Sequence, residues 1–293
     1  MLRPSCFFVL RNSFPTAPAG EKTGPIAYTF LAPVAKRSQR RQSSWTSLQL
    51  LPIAGLGEIR QGQDLASLLV AAADKSGINF ANGDILAIAQ KIVSKAEGRI
   101  VDLSSVSPSA VARQLAAKRN RDPRLVEVVL RESRRIVRED PVIITETHHG
   151  FVCANSGVDH SNVAGDDFVT LLPLDPDLSA ARLAAALRKL TAKRFAVLIT
   201  DTFGRPWRLG LVNVAIGAEG LPVLLDLRGK RDRNRKRLQA TIIAVADELA
   251  AAAGLLMGKA AGIPAVIIRG YKYKRAADSA RRIIRPPNED LFR

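Results

Sequence analysis

The 293-residue chain is 47% hydrophobic and carries 44 Lys and Arg against 27 Asp and Glu, a formal net charge of +17, so it has apolar material for a sizeable core and a surface that favours anionic partners. Its richest apolar stretch, Ile242 to Met257, holds Asp247 and Glu248, which leaves no uncharged run of about 20 residues to span a bilayer. Cys6 and Cys153 are the only cysteines, too few for a disulfide framework or a cysteine metal site, which fits a reducing cytoplasm.

Residues 1 to 48 hold seven Lys or Arg against Glu21, +6 of the total, and leave +11 to the rest. They show no helical or strand period and read as a basic, disordered N-terminal extension; a transit peptide or a misplaced start shares that composition. The folded part, 49 to 293, opens with a strand at Leu50, Leu51 and Ile53 and a turn through Gly55, Leu56, Gly57, Glu58 and Ile59, which can lay backbone N–H groups against a phosphate or serve as an ordinary turn. Asp64 caps a helix to about Ala73. Ile85 to Ala89 is a strand, followed by Gln90, Lys91 and Lys95; if that segment is helical the two lysines share a face and repel unless an anion lies between them.

Ser107 and Pro108 open a helix to about Lys118, and a second runs from Pro123 to Arg135 with Ile136 closing its apolar stripe. Strands at Val142 to Thr145 and Phe151 to Ala154 flank His148 and His149, which alternation would send to opposite faces, against a shared metal. Cys153 to Asn162 concentrates small polar groups, Asp159 among them, as a ligand loop or a turn network. An amphipathic helix, Leu178 to Leu190, leads to Phe195 to Ile199, a short apolar run that reads as an inner strand.

Just past that strand come Asp201, Thr202, Gly204, Arg205, Trp207 and Arg208. A carboxylate and a hydroxyl can hold a divalent cation there, and the arginines can grip phosphate or carboxylate; a turn with solvated arginines is the plainer alternative. Val212 to Ile216 is a further strand. Arg228 to Arg237 packs seven basic residues around Asp232, and a long Ala-rich helix follows, about Leu238 to Met257. Gly254 to Ala260 imitates a phosphate-binding P-loop but has the wrong glycine spacing, no Ser or Thr after the Lys, and a helix in front. Pro264 to Ile268 is a final strand.

Four blocks in order, Gln90 to Arg99 (QKIVSKAEGR), Ala154 to Asn162 (ANSGVDHSN), Thr200 to Arg208 (TDTFGRPWR) and Ala246 to Arg269, resemble the coenzyme F420-0:L-glutamate ligase family, from about Leu50 to Gly270. The resemblance implies a GTP-dependent ligase that joins the amine of L-glutamate to the terminal carboxylate of coenzyme F420-0 through an acyl phosphate, releasing GDP and phosphate. It implies Mg2+ or Mn2+, with K+ as a further candidate. By position in the family motifs, Asp159, Asp201 and Thr202 would hold metal, and Leu56, Gly57, Glu58, Ile59, Gln90, Lys91, Lys95 and Asn162 would contact nucleotide. Arg205 and Arg208 are read as clamps on the transferring phosphate or a substrate carboxylate. Two positions depart from the family: Lys259 stands where archaeal members place a metal-binding Glu, and can supply positive charge directly, and the family's Asp-x-x-Gly-Arg-x-Leu appears as Asp232 to Leu238 with the Gly replaced by Arg235 and the Arg by Lys236.

Strand hairpins and long amphipathic helices without regular alternation predict a mixed α+β fold rather than a doubly wound sheet; the resemblance implies a two-lobed single unit and a cytoplasmic homodimer. A nucleic-acid-binding protein is the rival from another class, but 5% aromatic residues give no stacking platform, and membrane partners are not expected. A related nucleotide-dependent amide ligase with another acceptor acid is the third reading.

Overall fold

The computed structural model describes residues 47–118, 120–160, 167–258 and 261–290. Its central sheet has the order β1 (Gln49–Ile53), β12 (Ala265–Arg269), β2 (Ile85–Ala89), β8 (Ala196–Arg205) and β9 (Arg208–Glu219). Only β2 and β8 run parallel; the other neighbours are antiparallel. The unbroken apolar sequences of β2 and of β8 up to Ile199 follow from their place inside the sheet, where both faces are covered.

One face carries α1 (Leu65–Lys75) and α5 (Pro176–Thr191), whose Leu69, Ala73, Leu183 and Leu187 pack on Ile88, Val197, Ile199 and Ile267. Asp64 caps α1 through the amides of Ala66 and Ser67, and Asp175 caps α5 through that of Leu178. The opposite face carries α6 (Val245–Met257), with Val245, Leu249 and Ala253 against Leu198, Val266 and Ile268. Gly217 of β9 lets the sheet approach α5 closely, since a Cβ there would run into the Pro176 carbonyl. Asp84 ties β2 to β12 by accepting both Nε and Nη2 of Arg269, each at 2.8 Å.

Between β2 and β8 the chain builds α2 (Gln90–Ala96), β3 (Ile100–Asp102), α3 (Ala110–Ala117), α4 (Pro123–Arg131), β4 (Ser133–Arg138), β5 (Ile144–Thr147), β6 (Val152–Ala154) and β7 (Phe168–Thr170). A third apolar cluster, with Leu103, Ala112, Val126, Val129, Ile143 and Val169, forms under α3 and α4. The architecture is mixed α+β, as the pattern of elements predicts, and no helix among the described residues is long and apolar enough to cross a membrane.

Several element boundaries differ from the sequence reading. The helix expected from Pro123 to Arg135 stops at Arg131, and Ile136 belongs to β4, which pairs with β5. α3 starts two residues beyond Pro108, capped by Ser109 rather than Ser107. The long helix begins at Val245, because Ile242 and Ile243 form β11 opposite β10 (Leu225–Asp226). β8 does not stop at Ile199 but continues through Asp201 and Thr202 to Arg205, paired with β9.

Candidate functional site

β2 ends at Ala89, its last residue opposite β8 being paired with Thr200. From there β8 runs on with β9 as its hydrogen-bonded neighbour, and a cavity of about 690 Å³ opens beside it. A β-bulge in β9 sits at the same level: Ile199 pairs with Gly217 but Thr200 with Ala215, leaving Ile216 as the extra residue. Bulges re-aim side chains next to sites, and here the shift places Thr202 directly opposite Asn213.

α2 starts immediately after β2 and supplies the basic wall. Gln90 is buried and accepts a 2.7 Å hydrogen bond from Ser94. Lys91 and Lys95, one turn apart, each meet a carboxylate from another segment: Lys91 Nζ lies 2.8 Å from Asp159, and Lys95 pairs with Glu58 of the turn after β1. The like-charge conflict between the two lysines is thus resolved by anions that the chain itself brings. Leu56 and Gly57 line the same cavity, whereas Ile59 is 4% exposed and belongs to the core.

Asp201 and Thr202 both border the cavity, but neighbouring strand positions face opposite sides. Asp201 is on the side of β6, where its charge and burial together push the Cys153 thiol up to about 12, burial being the larger cause; that thiol is not a nucleophile at neutral pH. Asp201 Oδ1 also accepts the Thr202 amide at 2.8 Å. Thr202 is on the side of α6, with its hydroxyl 3.1 Å from Asn213 Oδ1. Near the bulge, Asp247 accepts the Ala215 amide at 2.9 Å, and burial raises its carboxyl above the ordinary range.

Arg205 and Arg208 are not part of the cavity wall. They occupy the far end of the β8–β9 hairpin, where the Arg205 guanidinium donates to the carbonyls of Leu209 and Gly210 at 2.7 and 3.5 Å and closes the turn. Asn162 and Lys259 lie outside the described residues. His148 and His149 direct Nε2 to backbone carbonyls, of Arg131 for the first and of Pro173 and Leu174 for the second. In the basic run, Asp232 accepts the amides of Asn234 and Lys236, and Arg235 adopts φ +64°, the left-handed conformation that suits the glycine it replaces.

Among the described residues no three or more His, Cys, Asp and Glu side chains cluster as a metal site. The donors at hand are the carboxylates of Asp159 and Asp201 and the Thr202 hydroxyl, all oxygen. Such a set fits Mg2+ or Mn2+, which take one or two carboxylates and complete their shell with phosphate and water oxygens.

Two residues of the wall, Asn213 and Gly254, had no site role in the sequence reading. Asn213 is a single amide between Val212 and Val214, and Gly254 interrupts an Ala-rich helix at a cost of about 1 kcal/mol relative to Ala; both border the cavity with Met257. The usable signal for Gly254 was a helix-weakening residue inside an Ala-rich run, and a Cβ there would lie 2.8 Å from Asn213 Cγ.

The family model for F420-0:Gamma-glutamyl ligase matches residues 55–270. A coenzyme F420:L-glutamate ligase from Methanothermobacter thermautotrophicus is 45% identical over 250 residues, covering 84% of this chain and 99% of that protein. Its counterpart from Methanopyrus kandleri is 48% identical over 253 residues, 84% and 98%, and that from Methanocaldococcus jannaschii 46% over 214 residues, 72% and 85%.

Proposed function

The chain belongs to the F420-0:gamma-glutamyl ligase family, and from that premise we propose that it forms the amide bond between the amine of L-glutamate and the terminal carboxylate of coenzyme F420-0, driven by GTP. One observation carries the reading on the structural side. All four blocks that carry the resemblance line one cavity: Gln90, Lys91 and Lys95 from the first, Asp159 from the second, Asp201 and Thr202 from the third, and Gly254 and Met257 from the fourth.

A carboxylate is a poor acyl donor. Transfer of the GTP γ-phosphoryl group to a carboxylate oxygen breaks the bond to the leaving GDP and produces an acyl phosphate; the glutamate amine then attacks the acyl carbon, phosphate leaves, and the amine loses a proton to water. Each participant is anionic, and like charges about 4 Å apart cost up to ~4 kcal/mol per pair at an intermediate effective dielectric. Lys91 and Lys95 offset this by exchanging Asp159 and Glu58 for phosphate oxygens. Gln90, Leu56, Gly57 and Glu58 position the nucleotide, the first held by Ser94. Asp159, Asp201 and Thr202 would hold Mg2+ or Mn2+, which would neutralise part of the triphosphate charge.

Because Arg205 and Arg208 lie at the hairpin tip, the clamp role needs a second copy to bring them to a cavity. A homodimer is therefore part of the proposal, supported by Trp207 and Leu209, which are 85% and 97% exposed at that tip. The separate α3–α4 cluster is taken as the second lobe, and the site of action as the cytoplasm.

The test is product formation by mass spectrometry with the purified chain, coenzyme F420-0, L-glutamate, GTP and Mn2+ or Mg2+. A gain of one glutamyl unit that disappears when GTP or metal is omitted supports the reading. No product from folded, metal-loaded protein refutes this acceptor and sends the search to another acid.

A further inference from the structure

Thr202 is the one candidate cation ligand without charge, so its usefulness depends on where its hydroxyl proton points. The structure answers this through Asn213. Oδ1 of Asn213 is 3.1 Å from Thr202 Oγ1, and Nδ2 is 3.5 Å from Met257 Sδ. Sulfur accepts but does not donate, so the amide nitrogen belongs on the Met257 side and the oxygen on the Thr202 side. With Oδ1 as the acceptor, the hydroxyl must donate to it, and both Oγ1 lone pairs are left for the cavity.

We infer that Asn213 is a positioning residue for the ligase reaction: it fixes the Thr202 hydroxyl as an acceptor turned toward a bound divalent cation. The inference rests on the reading of Thr202 as a cation ligand. Asn213 is held in turn. It is the cross-strand partner of Thr202 by virtue of the bulge at Ile216, and α6 covers it at Gly254, where a Cβ would sit 2.8 Å from its Cγ and 2.9 Å from its Nδ2. Met257, one turn further along α6, also lies 3.9 Å from the Thr200 hydroxyl, whose proton goes to the nearer Ile88 carbonyl at 3.3 Å, so the last turn of α6 packs against both strands beside Asn213. Outer groups that orient a ligand in this way typically contribute 10- to 100-fold in metal affinity.

The test is Mn2+ binding to the full chain in the presence of GDP, read from the electron paramagnetic resonance signal of free Mn2+, with thermal unfolding as the control for folding. Asn213→Ala is expected to weaken Mn2+ about 10- to 100-fold, and Asn213→Asp, which keeps the acceptor, to hold it at or above the native level. In a Thr202→Val background Asn213→Ala should add less than about twofold, because the two act as one unit. Gly254→Ala, which displaces the amide from the helix side, should weaken Mn2+ in the same direction and serves if Asn213→Ala does not fold. The inference is overturned if Thr202→Val weakens Mn2+ while Asn213→Ala and Gly254→Ala do not, or if the Asn213→Ala loss persists undiminished without the Thr202 hydroxyl. If Thr202→Val itself leaves Mn2+ binding unchanged, Thr202 is not a ligand and the underlying reading fails with it.

Discussion

The two halves of the β8–β9 hairpin share a hydrogen-bond ladder but live in different surroundings. From Ala196 to Ile199 the side chains are fully buried, alternating between the α1–α5 face and the α6 face. Beyond Thr200, β2 has ended and the side chains pass from half-buried to exposed, reaching 97% at Leu209. Asp201 and Thr202 stand at the junction. The inner half fixes their backbone as rigidly as the core itself, while the outer half leaves their polar ends to a cavity; that combination lets a strand, rather than a flexible loop, present candidate ligand groups.

The largest effect should come from the junction. Asp201→Asn should lower kcat/KM by at least about a thousandfold, roughly 4 kcal/mol of barrier, with the thermal midpoint unchanged; a variant that keeps its rate removes Asp201 from the site. Next is the inner half, where Leu198→Ala should lose about 3 kcal/mol of stability in urea unfolding, within the range for a large core truncation, and a loss under 1 kcal/mol would mean the two faces are not tightly packed there.

A pH effect bears on the outer half, where Phe203 meets Phe151 edge-on and Phe151 stacks on His149. Burial lowers the His149 pKa from the ordinary 6.5, with Arg281 adding to the shift and Glu132 opposing it; the Nδ1 atom is buried and has no hydrogen-bond partner. The unfolded chain therefore takes up the proton first, so the contribution is intact above pH 6.5 and is lost as pH falls below it toward the lowered value. Thermal midpoints compared at pH 7.5 and 5.5 should drop less in His149→Gln than in the native chain; an equal drop would place the acid sensitivity elsewhere. The smallest effect belongs to the tip: Leu209→Ser should change protomer stability by less than about 0.5 kcal/mol yet shift sedimentation toward monomer, and an unchanged sedimentation profile would separate the tip from self-association.

The same contrast explains what could be read in advance. β2, the inner half of β8 and β12 are continuous apolar runs bounded by turns, and α1 shows a cap and a stripe, so local pattern was enough. The end of α4 at Arg131 was hidden because Ile136 continues the helical spacing and only pairing with β5 makes it a strand. That Lys91, Lys95, Asp159 and Asp201 gather at one cavity was legible from motif residues. Arg205 was read beside Asp201 because it follows four residues later, but a strand advances about 3.3 Å per residue and carries it roughly 13 Å away. Asn213 was missed because its role depends on a bulge and a helix glycine, neither of which has a signature within its own strand.

The pairing of both cavity lysines with carboxylates has a kinetic consequence. A lysine already matched to Asp159 or Glu58 projects little long-range field, so under the proposed function the arrival of a triphosphate follows the charge of the outer surface, of which the Arg228 to Arg237 turn is the densest part even with Arg228 itself paired to Asp226. Raising ionic strength should then slow encounter while leaving the lifetime of the bound nucleotide nearly unchanged, because screening acts on exposed charges far more than on those enclosed in the cavity.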